Sequence, residues 1–475
     1  MTRLRQLGRD SLVYGFGAIL AKSVGFMLLP IYTRIFTPAE YGTIEMLSVI
    51  ASFVSVVLVM GMDSAQSFYF FRYKSDGKSE RAKVVSAVLQ WRLTWGLAIV
   101  SIATISAPLL NAMFFSGRLT WEYFAVAFAG VLFAKIMNQS VEVLRLLYRP
   151  WPYVLIIFSQ TVLAAGLILV LVLSFNQGIF GYFLGTLLAS ASIASVGWYL
   201  VRDYLDFTKL HTDWWPKLFR FGAPLLPAGI AMYVMNTSDR WFIQYYHGET
   251  MLGLYAIGAK FALLMAIAVE TFRKAWWPIA MDAMHSEDGP ETYRSLARLF
   301  IGAGVAAVVL LAFLSPWLVK WLTAASYHQA WPLVGILAWQ SLFFGFYSIA
   351  SGGIWKREKT YYAAYLMIGA ALLNLLLNFL LVPDYAEVGA ALATSGSFLV
   401  WIVATLALSE RLWSVGYPFG LMFAQISVGA ATVAWIVTQT SFEQPFTLTS
   451  AMAVLIVLIF LLASVFLHQH WRRAG

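Results

Sequence analysis

The sequence contains no cysteine, and this absence narrows what the chain can be. Without cysteine there are no disulfide bonds and no thiolate metal sites. The six histidines show no metal-ligand spacing except for two beside the C-terminus, which are better explained as solvated. No Gly-rich phosphate-binding loop is present, which argues against ATP hydrolysis by this chain. We therefore expect no metal and no cofactor.

Charge is also scarce: charged residues make up 12% of the 475 residues, whereas a soluble domain carries roughly 25%. Hydrophobic residues make up 60%, and the mean hydropathy is +0.74. A helix needs about 20 residues to cross the hydrocarbon core, so the long apolar stretches predict an all-α integral membrane protein with about 14 transmembrane helices. The run lengths and the lack of period-2 alternation exclude a transmembrane β-barrel. The helices are predicted near residues 11–35, 42–70, 84–110, 121–147, 152–175, 178–201, 218–245, 250–275, 293–320, 332–354, 361–382, 387–409, 417–438 and 448–470.

The basic residues separate the two sides of the membrane. If the polar gaps are read alternately as inside and outside, the inside gaps hold twenty-four of the 32 Lys and Arg residues, and the outside gaps hold three. The positive-inside rule assigns the basic side to the cytoplasm. An even number of helices then places both termini in the cytoplasm.

Five cations remain, and all of them lie within apolar stretches. A charge at the centre of a lipid-exposed helix costs about 2.5–3.5 kcal/mol, even on the lenient insertion scale, so we expect these side chains to face helix contacts or a water-filled cavity. Each could instead snorkel or form an interhelical ion pair, an alternative that is stronger for the two arginines because they lie nearer helix ends. The five residues are Lys22, Arg92, Lys135, Arg240 and Lys260.

Four acidic residues also lie in these stretches, and they are candidates for ion or proton coupling. A carboxylate held in a low-dielectric cavity keeps its proton more readily than one in water. The alternative is that each carboxylate simply pairs with a cation. The four residues are Asp63, Glu142, Asp239 and Glu270.

Two outer hairpins form a weak internal repeat. Residues 34–44 link the first two predicted helices and residues 244–255 link the seventh and eighth, and each hairpin runs to a glycine, Gly42 or Gly253. The two copies lie six helices apart, which predicts a parallel repeat with its axis along the membrane normal. Two unrelated hairpins remain the alternative.

Three segments resemble the central signature of polysaccharide-biosynthesis flippases, which belong to the multidrug/oligosaccharidyl-lipid/polysaccharide exporter superfamily. The segments are residues 221–229 (FGAPLLPAG), 236–243 (NTSDRWFI) and 253–260 (GLYAIGAK). Residues 36–42 (FTPAEYG) are similar to the first hairpin of that family. The resemblance extends over nearly the whole chain in length, helix count and loop pattern.

The resemblance implies a fold of two pseudo-symmetric six-helix lobes followed by two C-terminal helices. The N-terminal lobe would comprise residues 1–201, the C-terminal lobe 202–410, and the appended helices 411–475. It also implies a transporter of the cytoplasmic (inner) membrane rather than an enzyme. Such a protein flips undecaprenyl-diphosphate-linked oligosaccharide repeat units by alternating access, for surface polysaccharide such as O-antigen of lipopolysaccharide or exopolysaccharide. Its partners would be this lipid-linked sugar, membrane lipids, and a polysaccharide polymerase with chain-length machinery.

For the substrate site, the resemblance adds weight to two lysines. In the related lipid II flippases, basic residues on the first and eighth helices are implicated in holding the diphosphate, and Lys22 and Lys260 lie on the comparable helices here. Those relatives also use a cation on the second helix, where this chain has Glu45 and Asp63. The head-group ligands are therefore predicted to be Lys22, Lys135 and Lys260, with Arg92 and Arg240 beside them.

Two other functions compete with this prediction. A multidrug antiporter of the same superfamily is expected to have an acidic cavity for cationic drugs, but the deep charges here are mostly basic. A polymerase or ligase of lipid-linked sugars is expected to carry a large outer loop with clustered Arg or acidic residues, and the outer gaps here are short.

Overall fold

The computed structural model describes residues 23–439 and 448–471, together with residues 13, 15, 17 and 20. Within these residues all regular structure is helical, so the predicted all-α class is confirmed. The first helices in chain order are α1 (Leu29–Ile35), α2 (Pro38–Val59), α3 (Met62–Arg72), α4 (Gly77–Ile105), α5 (Ala107–Phe114), α6 (Trp121–Leu146), α7 (Pro150–Leu169) and α8 (Gly178–Leu200).

The second half of the chain contains two very long helices that each hold a break. Gly248, with φ 76°, interrupts the first of them, and Ala386, with φ 46°, interrupts the second. Each break divides its long helix into two arms that are long enough to cross a membrane. The remaining helices are α9 (Trp215–Gly222), α10 (Leu226–Ala283), α11 (Gly289–Leu322), α12 (Trp331–Ala350), α13 (Gly352–Lys356), α14 (Tyr361–Leu412), α15 (Phe419–Gln439) and α16 (Leu448–Trp471).

The helix count agrees with the sequence. Ten helical segments in the described part of the chain are long and apolar enough to cross a membrane. Two of them contain the broken helices α10 and α14, each of which has two arms long enough to cross, and α16 is a further apolar helix of 24 residues. Part of the first predicted helix, residues 11–35, lies outside the described residues. The chain is therefore a multi-pass membrane protein.

The second predicted helix is not continuous, and this break positions the site described below. Met60 and Gly61 both have positive φ, 45° and 72°, and they separate α2 from α3. The bend lies against Gly222: a Cβ built on Gly61 would be 2.3 Å from the Gly222 carbonyl oxygen. Because Gly61 and Gly222 both lack a Cβ, their two backbones can approach this closely.

The chain divides into two compact units. Among the described residues, unit 1 holds Thr43–Tyr233 and the residues before Pro30, and unit 2 holds Pro30–Gly42 and the residues from Val234 onward. Residues 202–233 thus group with unit 1, and the first outer hairpin groups with unit 2. The predicted lobe boundaries after residues 201 and 410 remain a prediction.

In unit 1, the loop between α8 and α9 is fixed to α4. The Gln90 side chain accepts a hydrogen bond from the His211 amide at 2.8 Å and donates one to the Lys209 carbonyl at 3.0 Å. The Ser86 hydroxyl accepts from the Asp206 amide at 2.6 Å. Hydrogen bonds from the hydroxyl and amide of Thr208 lower the pKa of Asp206 below its usual range, because they stabilise the charged carboxylate.

In unit 2, the two outer hairpins of the sequence repeat contact each other. A Cβ on Gly42 would lie 1.9 Å from the Glu249 carbonyl oxygen, and a Cβ on Gly253 would lie 1.9 Å from the Pro38 carbonyl oxygen. Only glycine allows this packing, which explains why both hairpins end on that residue. The Tyr327 hydroxyl completes the contact by donating to a backbone carbonyl of the first hairpin, that of Phe36, at 2.7 Å.

Candidate functional site

Unit 1 contains a polar cavity of about 540 Å³ between α3, α6 and α7. The polar side chains project from one face of α3 and one face of α6, because residues three or four apart in a helix share a face. Because the chain bends at Gly61, α3 runs in a different direction from α2. The polar and charged residues that line the cavity are Asp63, Ser64, Ser67, Asn138, Glu142 and Arg145.

Asp63, which lines this cavity, forms an ion pair with a buried arginine. The Arg92 side chain of α4 is 0% exposed, and its guanidinium donates to the Asp63 carboxylate and to the Lys135 backbone carbonyl. The Asp63 side chain is 45% exposed and faces the cavity. This contact is the interhelical ion pair that was the alternative interpretation of Arg92.

Lys135 adds a second cation to the pair formed by Arg92 and Asp63, so the net charge of the three residues is positive. Its side chain is half-buried one helical turn from Asn138, and it interacts electrostatically with both Asp63 and Arg92. Its ammonium group has no ion pair or hydrogen bond with any residue that the structure describes. Two cations beside one carboxylate leave this group with one net positive charge, next to the cavity that Asp63 lines.

A second charged group connects α3 and α6 at the same cavity. The Glu142 carboxylate accepts from the Ser67 hydroxyl at 2.9 Å and from the Arg145 guanidinium at 2.5 Å. Arg145 is 55% exposed, whereas Glu142 is 18% exposed. The pair is electrically balanced, so it adds hydrogen-bonding capacity to the cavity without changing its net charge.

Two buried side-chain amides, those of Gln66 and Gln139, lie on the same two helices, α3 and α6. The Gln139 side chain donates to the Gln66 side-chain oxygen at 2.7 Å and to the Val85 carbonyl at 3.1 Å. The side-chain nitrogen of Gln66 and the side-chain oxygen of Gln139 find no partner within the described structure. Helical spacing places Gln139 on the same side of α6 as Asn138 and Glu142. Its partner on α3, Gln66, could be identified only from the tertiary structure.

Unit 2 contains a separate polar network around Asp239. The Asp239 side chain is 2% exposed. Its carboxylate accepts from the Arg240 guanidinium at 3.0 Å, from the Tyr255 hydroxyl, and from the Thr394 hydroxyl at 3.4 Å. Three donors thus supply hydrogen bonds to a carboxylate that is held away from water.

Buried amides extend this network across α10 and α14. The Asn374 side chain accepts from the Ser238 hydroxyl at 2.5 Å and donates to the Ser397 hydroxyl at 3.0 Å. Asn378 donates to the Asn374 side-chain oxygen at 3.2 Å. These hydrogen bonds join the two broken helices through side chains that are buried in unit 2.

Two other predicted site residues, Lys260 and Glu270, make no hydrogen bond or ion pair with these two clusters. Lys260 is half-buried in α10, and its ammonium group has no ion pair or hydrogen bond with the described part of the chain. Glu270 is 42% exposed and pairs with Arg273 at 3.4 Å and Lys274 at 3.8 Å, as residues three and four apart on one helix do. Lys22 lies outside the described residues.

The structure therefore brings the predicted residues together in two groups. Lys135, Arg92 and Asp63 form one group in unit 1, and Asp63 lines the unit 1 cavity together with Glu142. Each of the four predicted coupling carboxylates has a cationic partner. Their roles in binding and coupling remain predictions.

Residues 7–284 match a protein family described as "Polysaccharide biosynthesis protein". The match covers more than half of the chain. The chain belongs to the polysaccharide biosynthesis protein family. The signature segments at residues 221–229, 236–243 and 253–260 lie within the matched range, so the resemblance noted from the sequence is confirmed.

Two relatives of this polysaccharide biosynthesis protein come from Haemophilus influenzae. One is a protein of the Lsg locus, 26% identical over 281 residues, and the other is an uncharacterized membrane protein, 22% identical over 284 residues. Each match covers 58% of this chain, and the matches cover 66% and 65% of the two relatives. The chain thus spans just under two thirds of the length of these relatives.

Solved structures share the fold of this polysaccharide biosynthesis protein over most of its length. The lipid II flippase MurJ in an inward closed conformation has a TM-score of 0.76 at 15% identity, and the match covers 96% of this chain and 99% of that one. A multidrug resistance MATE family transporter in an inward-facing conformation has a TM-score of 0.64 at 16% identity, covering 83% and 95%. At 15% and 16% sequence identity, these structural matches establish the fold of the chain.

Proposed function

We propose that this chain is a flippase that carries undecaprenyl-diphosphate-linked oligosaccharide repeat units across the cytoplasmic membrane for surface polysaccharide such as O-antigen or exopolysaccharide. The observation that carries the proposal is the cavity of about 540 Å³ in unit 1, one lining residue of which, Asp63, belongs to a group of net charge +1 with Arg92 and Lys135. Membership of a polysaccharide biosynthesis family supports the choice of substrate.

The chemistry of the substrate requires such a cavity. The polyprenyl tail is soluble in hydrocarbon, but the diphosphate and the sugar hydroxyls lose their hydration there at a cost of several kcal/mol for each unpaired group. Ammonium groups replace water around the phosphates through charge-assisted hydrogen bonds. The serines and Asn138 of the cavity supply neutral partners for sugar hydroxyls.

Among the predicted head-group ligands, we assign the direct contacts to Lys22, Lys135 and Lys260. Lys135 and Lys260 have ammonium groups without a partner in the described structure, which leaves their hydrogen-bonding capacity for an anion. Arg92 and Arg240 are paired with carboxylates, so they act on the substrate mainly by orienting those carboxylates and adding positive potential.

For coupling, we assign the principal role to Asp239. It is the least exposed of the four candidate carboxylates, so exchange of its cationic partner for a proton or a metal ion has the largest electrostatic effect. Asp63 and Glu142 face the cavity and respond to the substrate directly. Glu270 lies among surface cations, and we rank it last.

Lobe movements that expose the cavity to one leaflet at a time would complete the transport cycle. In this scheme the protein carries its substrate without chemical change and both termini lie in the cytoplasm. A polymerase and chain-length machinery would receive the product at the outer leaflet.

The decisive experiment is a deletion strain analysed for surface polysaccharide and for lipid-linked intermediate. A flippase deletion loses surface polysaccharide and accumulates the intermediate at the inner leaflet. Loss of drug resistance with normal polysaccharide would replace the proposal with the alternative of a multidrug antiporter; a multidrug resistance MATE family transporter shares the fold.

Point variants then test the site. Complementation of the deletion strain with Lys135→Ala or Lys260→Ala should lower polysaccharide output at least tenfold while membrane levels of the protein stay normal. Lys74→Ala is the matched control, because that lysine is exposed and lies in a loop. Wild-type output from both test variants would refute the assignment of these lysines.

A further inference from the structure

A second cavity lies beside the polar one and has the opposite character. It measures about 600 Å³ and is lined by Ser67, Phe68, Phe71 and Arg72 at the end of α3. Ser67 also lines the polar cavity, so the two spaces adjoin. We call this second cavity the aromatic trough.

The floor of the aromatic trough is made of exposed phenylalanine rings. Phe68 and Phe71 are each 43% exposed, and a spacing of three residues places them on one helix face. Phe68 is held in place by stacking on Phe221 of α9, with ring centroids 4.7 Å apart. The apolar floor is therefore a surface fixed by packing, with both phenylalanine side chains partly exposed.

A cation stands at one end of this apolar surface. The Arg72 guanidinium carbon lies 5.9 Å from the centre of the Phe68 ring, and the side chain is exposed. Within the described structure, Arg72 has no carboxylate partner. An exposed arginine without a counterion is a suitable partner for a phosphate, because its planar donors match phosphate oxygens.

We propose that the aromatic trough binds the phosphate-proximal isoprenoid segment of the lipid-linked substrate, with Arg72 holding a phosphate. The proposal rests on the proposed function and adds a binding site for the lipid part of the same molecule. Three features on adjoining surfaces match three parts of one ligand: the apolar floor fits the chain, the arginine fits the phosphate, and the polar cavity fits the sugars.

The adjoining polar cavity is what favours a polyprenyl-linked sugar over an ordinary membrane phospholipid. A phospholipid could place an acyl chain on the rings and its phosphate near Arg72, but its small head group would leave the space beyond Ser67 unfilled. A phosphorylated polyprenyl chain that carries an oligosaccharide occupies both spaces. Phe68 and Phe71 are separated by about 4.5 Å of helix rise, so the trough grips a short chain segment and leaves the rest of the tail in the bilayer.

The test measures lipid binding by the full-length protein in nanodiscs of phosphatidylglycerol and phosphatidylcholine, by native mass spectrometry. The probes are undecaprenyl phosphate and undecaprenol, which differ only in the phosphate. Phe68→Ala/Phe71→Ala should weaken the binding of both probes about tenfold, which corresponds to about 1.4 kcal/mol. Arg72→Gln should weaken only the binding of undecaprenyl phosphate, by a similar factor.

Two further variants keep the test interpretable. Phe379→Ala removes another exposed ring, 58% exposed on α14, and should leave both affinities unchanged. Phe68→Leu/Phe71→Leu retains apolar bulk and should show an intermediate loss, so it replaces the alanine variant if that variant misfolds.

The outcomes separate the trough from the function on which it rests. If the wild-type protein binds undecaprenyl phosphate no better than phosphatidylglycerol, both proposals fall. If the wild-type protein is selective and the trough variants bind as tightly as it does, or if Phe379→Ala loses as much as they do, the aromatic trough is refuted and the flippase proposal stands.

Discussion

Removing Asp63 and removing Arg92 should destabilise the protein to different extents, because the two partners of this ion pair differ in their access to water. The Arg92 side chain is 0% exposed and the Asp63 side chain is 45% exposed. Replacing Asp63 with Asn leaves a buried guanidinium without a counterion. Replacing Arg92 with Met leaves a carboxylate that the cavity can hydrate. The acidic partner should therefore be the more costly one to remove.

The magnitudes follow from burial. Breaking a buried pair by removing one partner costs about 3–5 kcal/mol, and we expect Asp63→Asn to lie in this range. Arg92→Met retains apolar volume and leaves a half-exposed carboxylate, for which a cost of about 1 kcal/mol, near the surface value, is appropriate. In the double variant no buried charge remains, so its cost should fall close to that of Arg92→Met, which corresponds to a coupling free energy of about 3–5 kcal/mol between the two positions.

The assay is thermal unfolding of the purified protein in nanodiscs, followed by tryptophan fluorescence. One kcal/mol shifts Tm by about 2–4 °C in a domain of 150–250 residues, so Asp63→Asn should lower Tm by roughly 6–20 °C and Arg92→Met by about 2–4 °C. If Arg92→Met were the more damaging variant, or if the two costs added in the double variant, the reasoning from burial would be wrong. Normal stability with lost transport in Arg92→Met would instead favour the direct substrate contact that was predicted for Arg92.

Three further predictions test other parts of the molecule. Gly253→Val should reduce the amount of folded protein in the membrane several-fold, because its side chain would collide with the Pro38 carbonyl 1.9 Å from the Cβ position; normal levels on an immunoblot would contradict the close contact. Asp239→Asn should abolish any dependence of transport in proteoliposomes on a proton or sodium gradient, and a retained dependence would exclude this carboxylate as the coupling group. Because hydrogen bonds from Thr208 lower the pKa of Asp206, its contribution to stability is present above the unfolded-state pKa of about 4 and is lost as the pH falls through the lower folded-state value. Asp206→Asn should therefore lower Tm at pH 7, and the difference from wild type should shrink in acid; a difference independent of pH would argue against a charged role.

The four predicted coupling carboxylates differ in whether the sequence alone predicts their partners. The pairs of Glu270 and Glu142 with arginines three residues later can be read from helical spacing alone. The partner of Asp63 cannot, since Arg92 lies on another helix 29 residues away. The Thr394 contact of Asp239 spans 155 residues.

The sequence by itself determined the membrane-spanning helices and the family of this protein. Long apolar runs have no stable alternative to helices in lipid, because every backbone polar group must be satisfied within its own segment. The signature segments between residues 221 and 260 carried the resemblance that the family match confirmed.

Only the tertiary structure decided which polar side chains meet. The bend at Met60 and Gly61 divides a helix that looks continuous in the sequence, and it exists because the backbone packs closely against Gly222. That bend directs α3, which carries both the polar cavity and the aromatic trough. Packing between distant segments brings together charges and rings that lie on separate helices. The hydrophobic periodicity of the sequence does not predict which helices pack together.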